Sequence, residues 1–237
     1  MLQVATARLV VTHWTDFLIF AQTLAALGSI LGLALGHSQF TKRAVRWLVF
    51  GYSVILIPWQ LSLVIDPDVL LSERLASVGG RLLFSLEVFF RREPVEDSLL
   101  FVAFISTLAW FLSLASGYWW TRHKNYLMAT LPGGIFALTI QGYDQIPGSR
   151  NWLLGFYFLL ALLLLGRFYF LQNREQWQER QVFLMQESAF DISRGMVITA
   201  VLFVFIAWSL PASQAGLDTA RRTWTRLTKP WRDMQEW

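Results

Sequence analysis

The sequence predicts an all-α membrane protein, a six-span helical bundle with one interfacial amphipathic helix, and three observations predict it. Six runs pass without a single Asp, Glu, Lys or Arg: residues 17–41, 47–65, 98–121, 125–143, 151–166 and 195–217. Hydrophobic residues form 55% of the 237-residue chain and charged residues 15%, with a mean hydropathy of +0.44, whereas a soluble domain carries about 25% charged residues. Trp14, Trp47, Trp59, Trp119, Trp120, Trp152 and Trp208 stand at or near run ends, where aromatic rings favour the headgroup layer.

A hydrocarbon core of about 30 Å needs about 20 residues at a rise of 1.5 Å each. The runs therefore give spans over 14–36, 47–65, 98–120, 126–142, 151–171 and 195–210. The fifth run is short and extends past Arg167 to Leu171, because an Arg near a helix end threads its stem outward and leaves its head at the interface. Between the second and third spans, Asp66 reads as an N-cap and Pro67 as the first residue of a helix over 67–90. Glu73, Arg74, Ser77, Arg81, Ser85 and Glu87 share one sector of that helix, with Leu70, Leu71, Leu75, Val78, Leu82 and Phe89 opposite, the pattern of a helix lying in the headgroup plane. Residues 167–182 read as a polar extension of the fifth span.

The bundle thus covers 1–210, and 211–237 is a Trp- and Arg-rich tail or the start of a further domain. Within that tail Leu217, Ala220, Trp224, Leu227, Trp231 and Met234 form a helical stripe that Pro230 interrupts. The stripe stops in mid-pattern at Trp237, as in a fragment or a shortened relative of a longer protein.

Short loops set orientation, because Lys and Arg beside spans stay in the cytoplasm. Lys42, Arg43 and Arg46 mark one cytoplasmic connection, and Arg122 and Lys124 mark another. Residues 167–194 are then inside, and the N-terminus, 66–97, 144–150 and the C-terminal tail are outside. The inside segments hold nine Lys and Arg against four Asp and Glu; the outside segments are near balance. The net charge of +4 serves orientation and anionic lipid rather than nucleic acid.

Few residues suggest chemistry. Cysteine is absent, which removes disulfides, thiolate metal sites and thiol nucleophiles. His13, His37 and His123 are far apart, with no i, i+3 or i, i+4 pair to ligate zinc or haem, and no phosphate-binding glycine loop occurs. No catalytic residue, metal site or cofactor is indicated. Asp16, Gln60, Gln141 and Asp144 sit near run ends and read as interfacial groups or helix–helix hydrogen bonds.

Packing signals are clearer. Gly28, Gly32 and Gly36 form a double GxxxG on one helix face, which lets another helix approach closely. Pro58 in the second span, and Pro132, Gly133 and Gly134 in the fourth, are expected to kink or unwind their helices.

An ordered set of segments resembles the N-terminal membrane region of bacterial transglutaminase-like multi-pass membrane proteins. It runs through Gly32 to Phe40, Pro58-Trp59-Gln60-Leu61, Glu93 to Asp97, Ser116-Gly117-Tyr118-Trp119 with Arg122-His123, and Leu131-Pro132-Gly133-Gly134. It continues with Tyr143-Asp144, Gly166-Arg167 and Asp191 to Pro211. In that family such a bundle precedes an extracytoplasmic domain with a Cys-His-Asp constellation, so the resemblance implies an outward-facing Pro211. No catalytic residue carries over, because this chain has no Cys. The implied role is a non-catalytic anchor or scaffold in the bacterial inner membrane, its partners being lipid and an extracytoplasmic domain or other membrane subunits. The rivals are a structural subunit of a larger membrane complex and a small-molecule or lipid transporter, the latter marked by a polar cavity lined by Gln141, Ser53 or Tyr143.

Overall fold

A computed structural model describes the backbone of residues 1–95, 97–144, 151–179 and 186–209, and the side chains within these except at 151, 171–179, 186–193 and 207–209. The described residues hold eight helices and no strand: α1 (Leu2–Val10), α2 (Ile19–His37), α3 (Lys42–Ser62), α4 (Leu71–Phe90), α5 (Leu99–His123), α6 (Tyr126–Tyr143), α7 (Asn151–Glu179) and α8 (Gln186–Ser209). Four stretches are long and apolar enough to cross a membrane: Ile19–His37, Lys42–Ser62, Leu99–His123 and Trp152–Phe170. A shorter apolar stretch, Arg194–Ile206, lies in α8. The chain divides into two compact units, Met1–Ala200 and Val201–Trp237. The packing below belongs to the first; in the second, the described residues are the last turns of α8. The expected stripe from Leu217 to Met234 lies outside the described residues.

Several boundaries differ from the sequence reading, each for a local reason. An unexpected helix, α1, precedes the first span, and that span begins at Ile19 rather than at residue 14. His13 (φ 52°) and Phe17 (φ 64°) both adopt left-handed backbone, which no continuous helix through this stretch tolerates. Likewise α3 starts at Lys42, so Lys42, Arg43 and Arg46 sit in its first turns rather than in a loop. Thr41 caps it, its hydroxyl accepting from the Ala44 N–H at 3.3 Å. Asp66 does not cap α4, which begins at Leu71 rather than 67. Its carboxylate instead accepts from the Asp68 N–H at 3.1 Å, closing a local turn around Pro67. Finally α8 begins at Gln186, nine residues before the expected 195.

The long helices run up and down about one tight pair, α2 and α5. Leu24, Ala21, Ala25, Ala109 and Trp110 are fully buried between them and their neighbours. Trp110 donates its indole N–H to Ser53 Oγ of α3 at 2.9 Å, and Ser53 donates to the Val49 carbonyl at 2.7 Å. A buried indole needs such a partner, and this one ties α3 to the central pair.

The placement of Asp and Glu separates the two ends of the bundle. Phe20 near the start of α2, Leu61 near the end of α3, Val78 of α4, and Leu99 and Val102 at the start of α5 form one cluster. The middle of α4 therefore lies across one end rather than along the spans. At the other end, Arg122 donates to the carbonyls of Ser38 and Phe40. Lys124 (φ 48°) and Asn125 turn the chain there into α6. Exposed Lys42, Arg43, Arg46, Arg122 and Lys124 gather at this second end, whereas every Asp and Glu with a described side chain belongs to the first.

Candidate functional site

The close approach of α2 and α5 rests on glycine. A Cβ added at Gly28 would sit 2.7 Å from the Trp110 carbonyl oxygen; one at Gly32 would collide with the Leu114 backbone, and one at Gly36 with the Thr121 hydroxyl. Gly117 answers from α5, where a Cβ would meet Leu33 N at 2.9 Å and Ser29 O at 3.0 Å. The seam is therefore small-residue packing on both helices. It brings backbone to backbone, as suits helices in lipid, where burial of apolar surface gives no net drive for association.

Neither Pro58 nor Pro132-Gly133-Gly134 unwinds its helix. Both α3 at Pro58 and α6 at Pro132-Gly133-Gly134 continue as α-helix. A proline inside a helix removes one hydrogen bond and crowds the preceding turn. In α6, neighbours take up carbonyls of that turn: Ser116 donates to Ala129 O, and Tyr157 donates to Thr130 O at 2.6 Å. Tyr126 of α6 in turn donates to Ala161 O of α7 at 2.6 Å, so α6 and α7 exchange two phenol-to-carbonyl bonds. Gly133 leaves room for this, since a Cβ there would meet the Tyr157 hydroxyl at 2.8 Å and Leu2 at 3.1 Å.

The strongest polar constellation is one that sequence reasoning missed. Arg8, in the last turn of α1, is 1% exposed. Its Nη2 donates to Asp144 Oδ2 at 2.6 Å and to Gln141 Oε1 at 2.9 Å, and its Nε donates to the same Gln141 oxygen at 3.1 Å. The Asp144 side chain is 3% exposed. Thus Asp144 and Gln141, expected as interfacial groups or helix–helix hydrogen bonds, hold a buried guanidinium, while Asp16 is exposed. Leu2 lies near Gly133 and Arg8 near Gln141, so α1 runs alongside α6 in the same direction, and the two C-termini end together. Helix C-termini carry partial negative charge, which makes an Asp cap unfavourable unless a cation stands beside it. Arg8 supplies that cation to both ends.

Chemically this is a fixed ion pair that latches α1 onto α6. No sequence signal pairs positions 8 and 144. The available hint was an Arg within the apolar stretch Leu2–Val10, too short to register as a span. Gln141 and Ser53 are engaged in the bonds above, and Tyr143 lines an apolar groove with Trp14 and Phe101. In comparisons with known proteins, no family model, no curated protein and no solved structure matches the chain.

Proposed function

We propose that this chain is a non-catalytic membrane anchor or scaffold that presents an extracytoplasmic module, or a partner subunit, at the outer face of a bacterial inner membrane. Six spans, α2, α3, α5, α6, α7 and α8, would cross the bilayer. The outward end would be the one carrying Asp16, Asp66, Asp97 and Asp144, with the N-terminus and the C-terminal tail on that side. On that end α4 would lie in the headgroup layer. The observation that carries the reading is how the polar side chains of the bundle are used. Arg8, Gln141, Asp144, Ser53, Trp110, Ser116, Tyr126 and Tyr157 all make helix-to-helix bonds, an arrangement suited to a rigid frame. Exposed Leu71, Leu83, Phe89 and Phe90 on α4 support its immersion in the interface, and the excess of Lys and Arg over described Asp and Glu at the opposite end supports the orientation. The transglutaminase-like character of the module is an inference from the ordered segments named above.

The test is to express the full chain in a bacterial host, with a label on the segment after Pro211, and to recover it in mild detergent. Labelling from the outside together with co-purification of an extracytoplasmic partner is expected. A tail labelled only from the cytoplasm would overturn the reading, as would a chain that recovers no partner and complements no deletion.

A further inference from the structure

Between α5 and α7, towards the basic end of the bundle, lies a groove of about 490 Å³. Leu33, Trp120, Leu160, Leu163 and Leu164 form its apolar wall, and Arg167 lines it where α7 reaches the basic end. The groove follows α5 from Ser113 to Trp120 and α7 from Leu160 to Arg167, about 10 Å along each axis at 1.5 Å per residue. That is about two thirds of one hydrocarbon leaflet, which is about 15 Å deep.

Two features choose its occupant. Arg167 is exposed and makes no ion pair with a described carboxylate; its described contact is with the Phe170 ring at 5.9 Å. Arg122 and Lys124 share its end of the bundle, so the local field favours an anion. A groove with a leucine wall that ends in a guanidinium fits an anionic phospholipid: phosphate takes the planar fork of Arg, and an acyl chain takes the leucine wall. The larger apolar groove of about 790 Å³, between α5 and α6, has no charged side chain on its walls and so has no means of selecting a headgroup.

We propose that the groove between α5 and α7 is a specific site for an anionic phospholipid, with the phosphate on Arg167 and one acyl chain along Leu160, Leu163, Leu164 and Trp120. The site requires the membrane placement of the bundle but not the anchor role, and lipid binding is read with no protein partner present.

The experiment titrates the full chain in maltoside micelles with phosphatidylglycerol or with phosphatidylcholine of the same acyl chains, counting bound lipid by native mass spectrometry. Phosphatidylglycerol is expected to bind at least tenfold more tightly. Arg167→Gln, on an exposed position that leaves the fold intact, is expected to erase the preference, whereas Arg43→Gln at the same end keeps it. Leu164→Trp, which fills the slot, is expected to weaken phosphatidylglycerol at least tenfold, and glycerol phosphate alone is expected not to compete. A preference that survives Arg167→Gln overturns the proposal. So does an affinity untouched by Leu164→Trp in a variant with native helicity, or competition by glycerol phosphate, which would leave only a headgroup on a basic rim. Should Leu164→Trp lose helicity, Leu160→Phe is read in its place by the same criterion.

Discussion

Arg8 and Asp144 stand 136 residues apart in the chain and 2.6 Å apart in space, their side chains 1% and 3% exposed. Removing two charges from water is costly, and the attraction between them offsets the cost only where the remaining donors and acceptors are also satisfied. Gln141 supplies part of that satisfaction by accepting from both Nε and Nη2, although Nη1 is left without a partner. The pair therefore contributes position more than net stability. It fixes which turn of α1 lies against which turn of α6.

From this follows an asymmetry between single and double substitutions. Arg8→Met leaves a buried carboxylate and Asp144→Leu leaves a buried guanidinium, so each is expected to destabilise the bundle by about 3–5 kcal/mol. The double variant leaves neither and is expected to recover most of the loss. Reversible unfolding in mixed micelles, run as a double-mutant cycle, measures this directly. Additive losses in the double variant would show that the two residues are not coupled.

The glycine seam gives a prediction in which position matters more than residue type. Gly32→Ala must displace the Leu114 backbone, and overpacking of this kind costs about 1–3 kcal/mol. Gly51 lies within α3 and a Cβ there meets nothing within 4 Å, so Gly51→Ala is expected to be neutral or stabilising by up to about 1 kcal/mol. Equal effects at the two sites in the same unfolding assay would refute the seam.

How legible this was in the sequence depends on the range of each interaction. The long apolar helices α2, α3 and α5 are local properties of charge-free runs and could be read directly, as could the small-residue face at Gly28, Gly32 and Gly36. What that face touches could not, because Trp110, Leu114 and Thr121 become its neighbours only through the up-and-down path of the chain. The latch was hidden for a related reason. Reading by charge-free runs discards a nine-residue helix that contains an Arg, and the pairing of Arg8 with Asp144 is tertiary. Pro132 shows the same limit: the proline signals a lost hydrogen bond, but the sequence does not show that Ser116 and Tyr157 reach carbonyls of the same turn.

Those two donors are testable individually. Tyr157→Phe removes the bond to Thr130 O and Tyr126→Phe the bond to Ala161 O, each at an expected cost of about 0.6–1.5 kcal/mol for a hydrogen bond between helices in a membrane. Because Thr130 belongs to the turn preceding Pro132, Tyr157→Phe is also expected to speed amide exchange around residues 130–136 of α6. Tyr126→Phe, on the first turn of the helix, is not. Hydrogen exchange read by mass spectrometry separates the two. Unchanged protection of that segment in Tyr157→Phe would mean that the helix tolerates Pro132 without help.

The docking of α4 is expected to depend on pH in a defined direction. Arg81 donates two hydrogen bonds to the Asp97 carboxylate, both at 2.9 Å. That bonding holds the Asp97 carboxyl below its usual range; partial burial opposes the shift, and the Leu99 N–H bond and the Arg81 charge add to it. With its value lowered by folding, Asp97 contributes stability while ionised, above the ordinary carboxylate range, and loses that contribution as pH falls through the lowered value. Both side chains are partly exposed, at 44% and 26%, so the contribution is small, under about 1 kcal/mol. Its readout is therefore local: the protection of amides 71–90 against exchange, corrected for the intrinsic rate, should fall as pH is lowered from neutral through the carboxylate range. In Asp97→Asn that protection should already be reduced at neutral pH and lose most of its pH dependence. If wild type and Asp97→Asn followed the same curve, the ion pair would not be what holds the middle of α4 against the start of α5, and the apolar contacts of Val78 with Leu99 and Val102 would carry that docking alone.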